Sequence, residues 1–227
     1  MVKKRKLFSF LFLFDNHKKI WYNIISKISK RKKYMNKPII IALCGPAASG
    51  KDTLANELWR YMKMEHIACN FLVSDTTRPM RPREKEGVDY FFRTEAEFFK
   101  KFHNGDYLEW TEYRNWFYAT DKHQLQNGYN LGVFNLSGIL SLKHSGYTVI
   151  PIFLKVPFLT RMKRYKERAG KFTLEQFRRA WADMNDFANA DLYLESLFPR
   201  SYLVLKNSNI LENCQKITQH LVSLGLE

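Results

Sequence analysis

The 227-residue chain is 45% hydrophobic and 15% aromatic, which is enough apolar surface for the packed core of one domain with small inserted lobes. Its three cysteines lack paired spacing and its six histidines form no HxxxH or HxxE pattern. These features argue against a disulfide scaffold and a zinc site, and they predict a reduced, cytoplasmic protein. The net charge is +15, but residues 1–35 carry +10 and the rest of the chain only +5, so we expect no nucleic-acid binding by the main domain.

The basic N-terminal extension, residues 1–35, allows two interpretations. Its largely apolar stretch, residues 7–14, is too short to span a bilayer, and no small-residue cleavage site follows it as in a signal peptide. Four isoleucines between residues 20 and 28 share one helical face with lysines close by, a pattern that suits an anionic membrane surface. Alternatively, the natural chain starts at Met35 and the extension is upstream sequence. No function is assigned to it here.

A glycine-rich loop follows the first predicted strand, which is the apolar run of residues 39–44, and a helix begins directly after the loop. The loop reads Gly45, Pro46, Ala47, Ala48, Ser49, Gly50, Lys51, Asp52, Thr53. Strand, glycine turn, lysine and helix together are typical of a P-loop, whose backbone N–H groups and helix dipole converge on a nucleotide polyphosphate. Lys51 is expected to reach the outer phosphates. Asp52 stands where a serine or threonine is usual.

A small, mostly β segment is predicted next. After a helix over residues 51–64 and a strand over residues 68–73, residues 74–83 are too rich in arginine and proline for a helix. A strand over residues 87–92, a helix capped by Thr94 and ended by Gly105, and two strands around Arg114-Asn115 complete the segment.

Strands and helices then alternate. Strands are predicted at residues 131–135, 148–154 and 202–205, and helices at residues 136–144, 160–168, 174–188 and 210–224. This order predicts an α/β fold with a P-loop NTPase-type parallel sheet flanked by helices, an inserted small, mostly β lobe and a helical lid.

Cationic side chains are grouped in a way that suits phosphoryl transfer, which depends on positioning and charge neutralisation. Arg78 and Arg81 lie in a proline-bearing loop, where both could grip one phosphate with guanidinium forks. Five further arginines lie in the predicted lid, on either side of Ala169-Gly170-Lys171: Arg161, Arg164, Arg168, Arg178 and Arg179. For Arg161 and Arg178 we expect ordinary solvated surface positions.

Glu109 is an acid among large apolar residues on a predicted strand. One carboxylate accepts both adjacent donors on the pairing edge of guanine, N1–H and the exocyclic amine, and adenine cannot match it. Two interpretations stay open from this stretch alone: a buried base reader, which needs a partner, or an exposed acid at a strand edge.

These residues together resemble guanylate kinases from about Lys37 to the C-terminus. The most specific similarity lies in residues 74–81 with residues 87–92, followed by Leu108-Glu109-Trp110 and by residues 117–120. The resemblance implies a guanylate kinase-like domain over residues 36–227. Its expected parts are a core (residues 36–73, 121–160 and 181–227), a GMP-binding lobe (residues 74–120) and a lid (residues 161–180).

The resemblance also implies residue roles. The GMP phosphate would be held by Arg78, Arg81, Tyr90 and Tyr118, and guanine would be read by Ser74, Glu109 and Thr120. ATP would be bound by the loop from Gly45 to Thr53, with Asn207 on the adenine side. The expected catalytic residues are Lys51, Arg78, Arg168 and Arg179, with Arg164 a weaker match to the lid arginines.

Two departures from the family pattern bear on activity. Val133 and Asn135 stand where guanylate kinases usually carry aspartates. Asp52 replaces the usual hydroxyl, and Thr53 does not substitute for it because successive helical residues point about 100° apart. Asp52 is a hard oxygen donor that can ligate Mg²⁺. Without metal it would repel the phosphates, so a strict metal requirement is predicted.

The sequence therefore predicts an enzyme that transfers phosphate from ATP, with Mg²⁺, to GMP and dGMP. The alternatives are a ribose 1,5-bisphosphate phosphokinase, which shares the aspartate after the P-loop lysine, and a broader deoxynucleoside monophosphate kinase. A guanylate kinase-like protein-binding module is the non-enzymatic alternative, against which the intact P-loop speaks.

Overall fold

The computed structural model describes residues 37–169, 174–206 and 209–225. Its strands are β1 (Pro38–Cys44), β2 (Cys69–Phe71), β3 (Asp75–Thr76), β4 (Phe91–Phe92), β5 (Tyr107–Tyr113), β6 (Trp116–Asp121), β7 (Gly128–Val133), β8 (Thr148–Leu154) and β9 (Leu203–Leu205). Its helices are α1 (Lys51–Met64), α2 (Glu95–His103), α3 (Leu136–His144), α4 (Phe158–Ala169), α5 (Leu174–Asp186), α6 (Ala190–Leu197) and α7 (Ile210–Ser223).

A five-stranded parallel sheet forms the centre, in the order β2-β7-β1-β8-β9. Successive side chains of β1 point to opposite faces, so its apolar run serves two cores. Ile39, Ile41 and Leu43 pack with α1 and α7, whereas Ile40 and Ala42 pack with α3 and α6. Helices on both faces bury this sheet, which explains why β1 and β8 are apolar along nearly their whole length.

A second sheet of four strands, in the order β4-β3-β6-β5, stands between β2 and β7 in the chain. Helix α2 covers it through the fully buried Phe98, whose ring lies 4.8 Å from Tyr107 and 5.6 Å from Phe117. The Thr94 hydroxyl and the Glu97 carboxylate form the predicted capping box at the start of α2. Strands β5 and β6 form the predicted hairpin.

The α/β prediction is confirmed, but several boundaries were wrong. Residues 87–89 form a turn rather than a strand, because the Gly87 N–H donates to the Tyr90 carbonyl and only Phe91–Phe92 pairs with β3. Strand β7 begins at Gly128 and ends at Val133, because Asn135 caps α3. The helix predicted over residues 174–188 ends at Asp186, and the separate helix α6 was not predicted.

The interpretations of the N-terminal extension fall on residues outside those that the structure describes. Within the described ranges, every helix is too short or too polar to cross a bilayer.

Candidate active site

The P-loop connects β1 to α1 at the carboxyl edge of the central sheet. A Cβ at Gly45 would lie 2.9 Å from the Leu154 carbonyl oxygen, so the first glycine is needed for close approach to β8. Gly50 has a φ of 93° and directly precedes α1. The Lys51 ammonium lies 3.8 Å from the exposed Asp52 carboxylate. A helix N-terminus and a lysine therefore lie side by side at the end of the loop, a combination that suits anion binding.

Helix α4 contacts the P-loop from outside. The Arg164 Nη1 donates to the Ser49 carbonyl at 2.6 Å and to the Ala48 carbonyl at 3.1 Å. The expectation that Arg161 is a solvated surface residue was wrong: its side chain is only 2% exposed and lies beneath the loop. Its guanidinium also lies 5.6 Å from the centre of the Phe158 ring, which is one helical turn earlier on α4. Arg178 is exposed, as expected.

Arg78 lies at the centre of a cationic and aromatic cluster on the small sheet. Its guanidinium forms a two-pronged ion pair with Glu84, at 3.0 Å from Nη1 and 2.8 Å from Nη2, and lies 5.4 Å from the centre of the Tyr90 ring. The Tyr90 and Tyr118 rings are 6.0 Å apart. Arg81 donates its backbone N–H to Glu84 at 2.8 Å and is itself exposed. Three of the four residues predicted for the GMP phosphate are thus in mutual contact, and Arg81 joins them through Glu84.

Burial, hydrogen bonds and neighbouring charges together shift the pKa values of the side chains in this cluster. Burial alone would lower the pKa of Arg78, but the hydrogen bond and charge of Glu84 outweigh it and raise the pKa. Burial would likewise raise the pKa of Glu84, but hydrogen bonds from Arg78 and the Arg81 N–H hold it below its usual value. Burial raises the pKa of Tyr90, and the nearby charge of Asp52 raises it further. The charge of Asp52 at the P-loop therefore acts on this cluster.

The three residues predicted to read guanine form a hydrogen-bonded chain. The Thr120 hydroxyl donates to Glu109 Oε1 at 2.8 Å and lies 3.3 Å from the Ser74 hydroxyl. Glu109 is buried, so the interpretation of this residue as an exposed acid at a strand edge was wrong. A Cβ at Gly138 would lie 2.7 Å from Glu109 Oε2, so this glycine leaves room for the carboxylate beside the first turn of α3. Burial raises the pKa of Glu109 to about 7, against the lowering effect of the Thr120 hydrogen bonds.

The positions that lack the expected acids lie at the end of β7. Asn135 caps α3, since its Oδ1 accepts from the Gly138 N–H at 2.7 Å and from the Ser137 hydroxyl at 3.0 Å. Val133 is half-buried within the strand and pairs with Leu43, next to the P-loop.

The lid predictions are only partly covered by the described residues. The side chains of Arg168 and Arg179, and the whole of Asn207, lie outside them. Thr53 is exposed in the first turn of α1. No group of three or more histidine, cysteine, aspartate or glutamate side chains suitable for a metal occurs among the described residues.

The donor set nevertheless suits Mg²⁺ bound with a nucleotide. Mg²⁺ keeps several waters and takes one or two protein carboxylates together with substrate phosphates. Asp52 presents an exposed carboxylate beside Lys51, at the point where phosphates would bind. Asp52 is therefore the residue that would hold the ion.

Two residues at the site were missed by the sequence analysis. Glu84 was detectable, because it follows Arg78 and Arg81 in the same loop and is the first acid after them. Asp183 on α5 accepts a hydrogen bond from the Ala47 N–H, 136 positions away. Its helix gives no local signal that separates it from Asp186, one turn further on.

A family model described as Guanylate kinase matches residues 35–223. The guanylate kinase of Synechococcus sp. (strain JA-3-3Ab) is 34% identical over a segment covering 58% of this chain and 61% of the relative. The guanylate kinase of Thermotoga maritima is 32% identical over 52% of this chain and 58% of the relative, so the match spans about three fifths of these relatives. The guanylate kinase of Chlamydia felis is 28% identical over 79% of this chain and 91% of the relative.

The fold is also that of a solved structure. A crystal structure of guanylate kinase from Anaplasma phagocytophilum matches with a TM-score of 0.62 and 24% identity, covering 84% of this chain and 88% of the other. Because the family model spans well over half of the sequence, the chain belongs to the guanylate kinase family.

Proposed function

We propose that the protein is an ATP:GMP phosphotransferase, which converts GMP and dGMP with ATP to the diphosphates and ADP. The single observation that carries the acceptor choice is the buried Glu109 carboxylate, hydrogen-bonded to Thr120 and linked through it to Ser74. A carboxylate in a site of low polarity needs donors to balance its charge. The adjacent N–H donors of guanine supply them, and a base-free acceptor such as ribose 1,5-bisphosphate does not.

The acceptor phosphate is proposed to bind at Arg78, Arg81, Tyr90 and Tyr118. Arg78 is already oriented by Glu84 and by the ring of Tyr90, so little side-chain freedom remains to be lost on binding. The exposed Arg81 can close on the same phosphate from the solvent side. The electrostatic coupling of Tyr90 to Asp52 supports a direct approach of the acceptor to the P-loop.

ATP is proposed to bind at residues 45–53 and Asn207, with Lys51 on the outer phosphates. The domain would then consist of a core, a GMP-binding lobe over residues 74–120 and a lid over residues 161–180. Closure of these parts brings Arg168 and Arg179 to the moving phosphoryl group and excludes the water that would otherwise hydrolyse ATP. Catalysis then rests on Lys51 and Arg78 together with these lid arginines, because charge neutralisation is the main requirement.

Mg²⁺ is proposed as the required cofactor, held by Asp52 with the ATP phosphates, where it would neutralise phosphate charge. A cytoplasmic location belongs to the same proposal and rests on the unpaired cysteines.

The Asp52→Ser variant tests the metal proposal. Serine restores a hydroxyl and removes a negative charge 3.8 Å from the Lys51 ammonium. The variant should need more Mg²⁺ for half-maximal activity and should retain measurable ATP binding without metal, whereas the natural protein should not. Titration of Mg²⁺ in activity and ATP-binding assays measures both effects, with Glu57→Ser on the same helix as the control. Equal metal dependence in the natural protein and the Asp52→Ser variant would contradict the prediction.

An ADP-release assay across acceptors tests the function itself. GMP and dGMP should be used, and AMP, dTMP and ribose 1,5-bisphosphate should be poor substrates by at least about 10³-fold, since each leaves the Glu109 carboxylate buried without its donors. Activity with ribose 1,5-bisphosphate, or equal rates with several bases, would instead favour the two alternative kinases. Absence of transfer to every acceptor, with ATP still bound, would favour a binding module.

A further inference from the structure

A single buried carboxylate joins the P-loop, helix α5 and the small sheet. Asp183 on α5 is 4% exposed, and its Oδ2 accepts from the Ala47 N–H at 2.8 Å. Its Oδ1 accepts from the Tyr113 hydroxyl at 3.4 Å, at the end of β5. None of the roles assigned above uses this residue.

Arg161 completes the contact from α4. Its Nη1 lies 3.6 Å from Asp183 Oδ2 and 3.5 Å from the Ala47 carbonyl oxygen. The Ala47 N–H therefore faces the Asp183 carboxylate on α5, and the Ala47 C=O faces the Arg161 guanidinium on α4. Its Nη2 donates to the Ala180 carbonyl at 3.3 Å. Burial lowers the pKa of Arg161, and the negative charge of Asp183 opposes this lowering. The two buried side chains therefore carry opposite charges that balance each other.

The next residue of the loop shows why such a contact is needed. Ala48 has a φ of 59°, in the left-handed region that residues with a Cβ avoid. A backbone conformation of this kind persists only where surrounding contacts enforce it. The Asp183 hydrogen bond lies one residue before this position, and Arg164 holds the Ala48 carbonyl itself at 3.1 Å.

We propose that Asp183, supported by Arg161, is a positioning residue for the phosphate-binding loop. It holds Ala47 so that Ala48 already has its left-handed conformation, and the loop its shape, when ATP arrives. The inference rests on the proposed function only for the identity of the ligand, ATP. Asp183 also accepts a longer hydrogen bond from Tyr113 at the end of β5.

The test compares ATP affinity, measured by calorimetry without acceptor, for Asp183→Ala, Asp183→Asn and Asp183→Glu. Asp183→Ala loses a buried hydrogen bond to a charged acceptor, so ATP affinity should fall about tenfold to a hundredfold. Asp183→Asn keeps an acceptor oxygen and should lose less, and Asp183→Glu should recover part of the loss. In kinetic assays the KM for ATP should rise while the KM for GMP changes less than about twofold. Asp186→Asn, an exposed change on the same helix, is the matched control.

A rescue experiment separates positioning from a purely structural role. Ala48→Gly removes the strain at residue 48, so adding it to Asp183→Asn should restore part of the ATP affinity. Unchanged ATP affinity in both Asp183→Ala and Asp183→Asn, or loss of the fold in Asp183→Asn by thermal unfolding, overturns the proposal. These readouts need only ATP binding. A failure of GMP phosphorylation in the natural protein would therefore be a separate result.

Discussion

Replacing Glu109 by glutamine is expected to remove nearly all phosphorylation of GMP and to stabilise the folded protein above pH 7. The two effects have one cause. The Glu109 carboxylate is buried with hydrogen bonding from Thr120 that does not offset its burial, so its charge is costly for folding. In the proposed function the two adjacent donors of guanine balance that charge, which makes it favourable for binding.

The activity loss follows from hydrogen-bond matching. In the proposed role, ionised Glu109 accepts from both guanine donors, whereas glutamine would offer one acceptor and place an N–H₂ group against the second donor. Hydrogen bonds to a charged group contribute about 1.5–3 kcal/mol each, so kcat/KM for GMP should fall about 10³-fold. The natural protein should itself lose affinity for GMP as pH falls below about 7, because the protonated carboxyl would no longer accept both bonds.

The gain in stability follows from the raised pKa. Burial raises the pKa of Glu109 from 4.5 to about 7, so the folded protein keeps a proton that the unfolded chain releases. The unfolding free energy of the natural protein therefore falls as pH rises from 4.5 to about 7. The full cost of burying the ionised carboxylate is present above about pH 7. At 1.36 kcal/mol per pKa unit, Glu109→Gln should gain about 3 kcal/mol at pH 8 and little at pH 4.

Thermal and denaturant unfolding at pH 5 and pH 8, together with GMP kinetics, measure both effects. Glu112→Gln, an exposed change on the same strand, is the control and should alter neither. A Glu109→Gln protein that is less stable at pH 8, or that still phosphorylates GMP efficiently, would contradict the proposed role.

Replacing Arg78 by alanine is expected to remove both activity and stability. The variant loses the guanidinium that we propose to contact the acceptor phosphate, and it leaves Glu84 without its two-pronged partner. Removing one member of a largely buried ion pair should cost about 3 kcal/mol of unfolding free energy. The kcat/KM for GMP should fall at least about 10³-fold.

The double variant Arg78→Ala/Glu84→Gln separates the two losses. Neutralising Glu84 removes the uncompensated charge, so part of the stability should return while activity stays low. Arg60→Ala, which breaks the exposed pair with Glu57, is the control and should change stability little. Recovery of activity in the double variant, or equal stability of Arg78→Ala and the natural protein, would contradict the assignment of this pair.

Local sequence was sufficient to predict the features that depend on neighbouring residues. The P-loop follows from glycines and a lysine between an apolar strand and a helix, and the capping box at Thr94 and Glu97 lies within four residues. The hairpin turn was predictable at Arg114-Asn115, which both adopt the left-handed conformation with φ of 57° and 61°. The residues proposed to read guanine, Ser74, Glu109 and Thr120, came from motifs that lie on adjacent parts of one small sheet.

The sequence by itself determined the α/β class, the P-loop and the order of the motifs, because periodicity and turn residues act over a few positions. Only the tertiary structure decided which charged side chains are buried and what they contact. Arg161 looked like a surface residue, and Asp183 had no distinguishing neighbours. Both meet Ala47 across more than 110 residues of chain. A charge turns inward when packing supplies a partner from another element, and no local pattern encodes that partner.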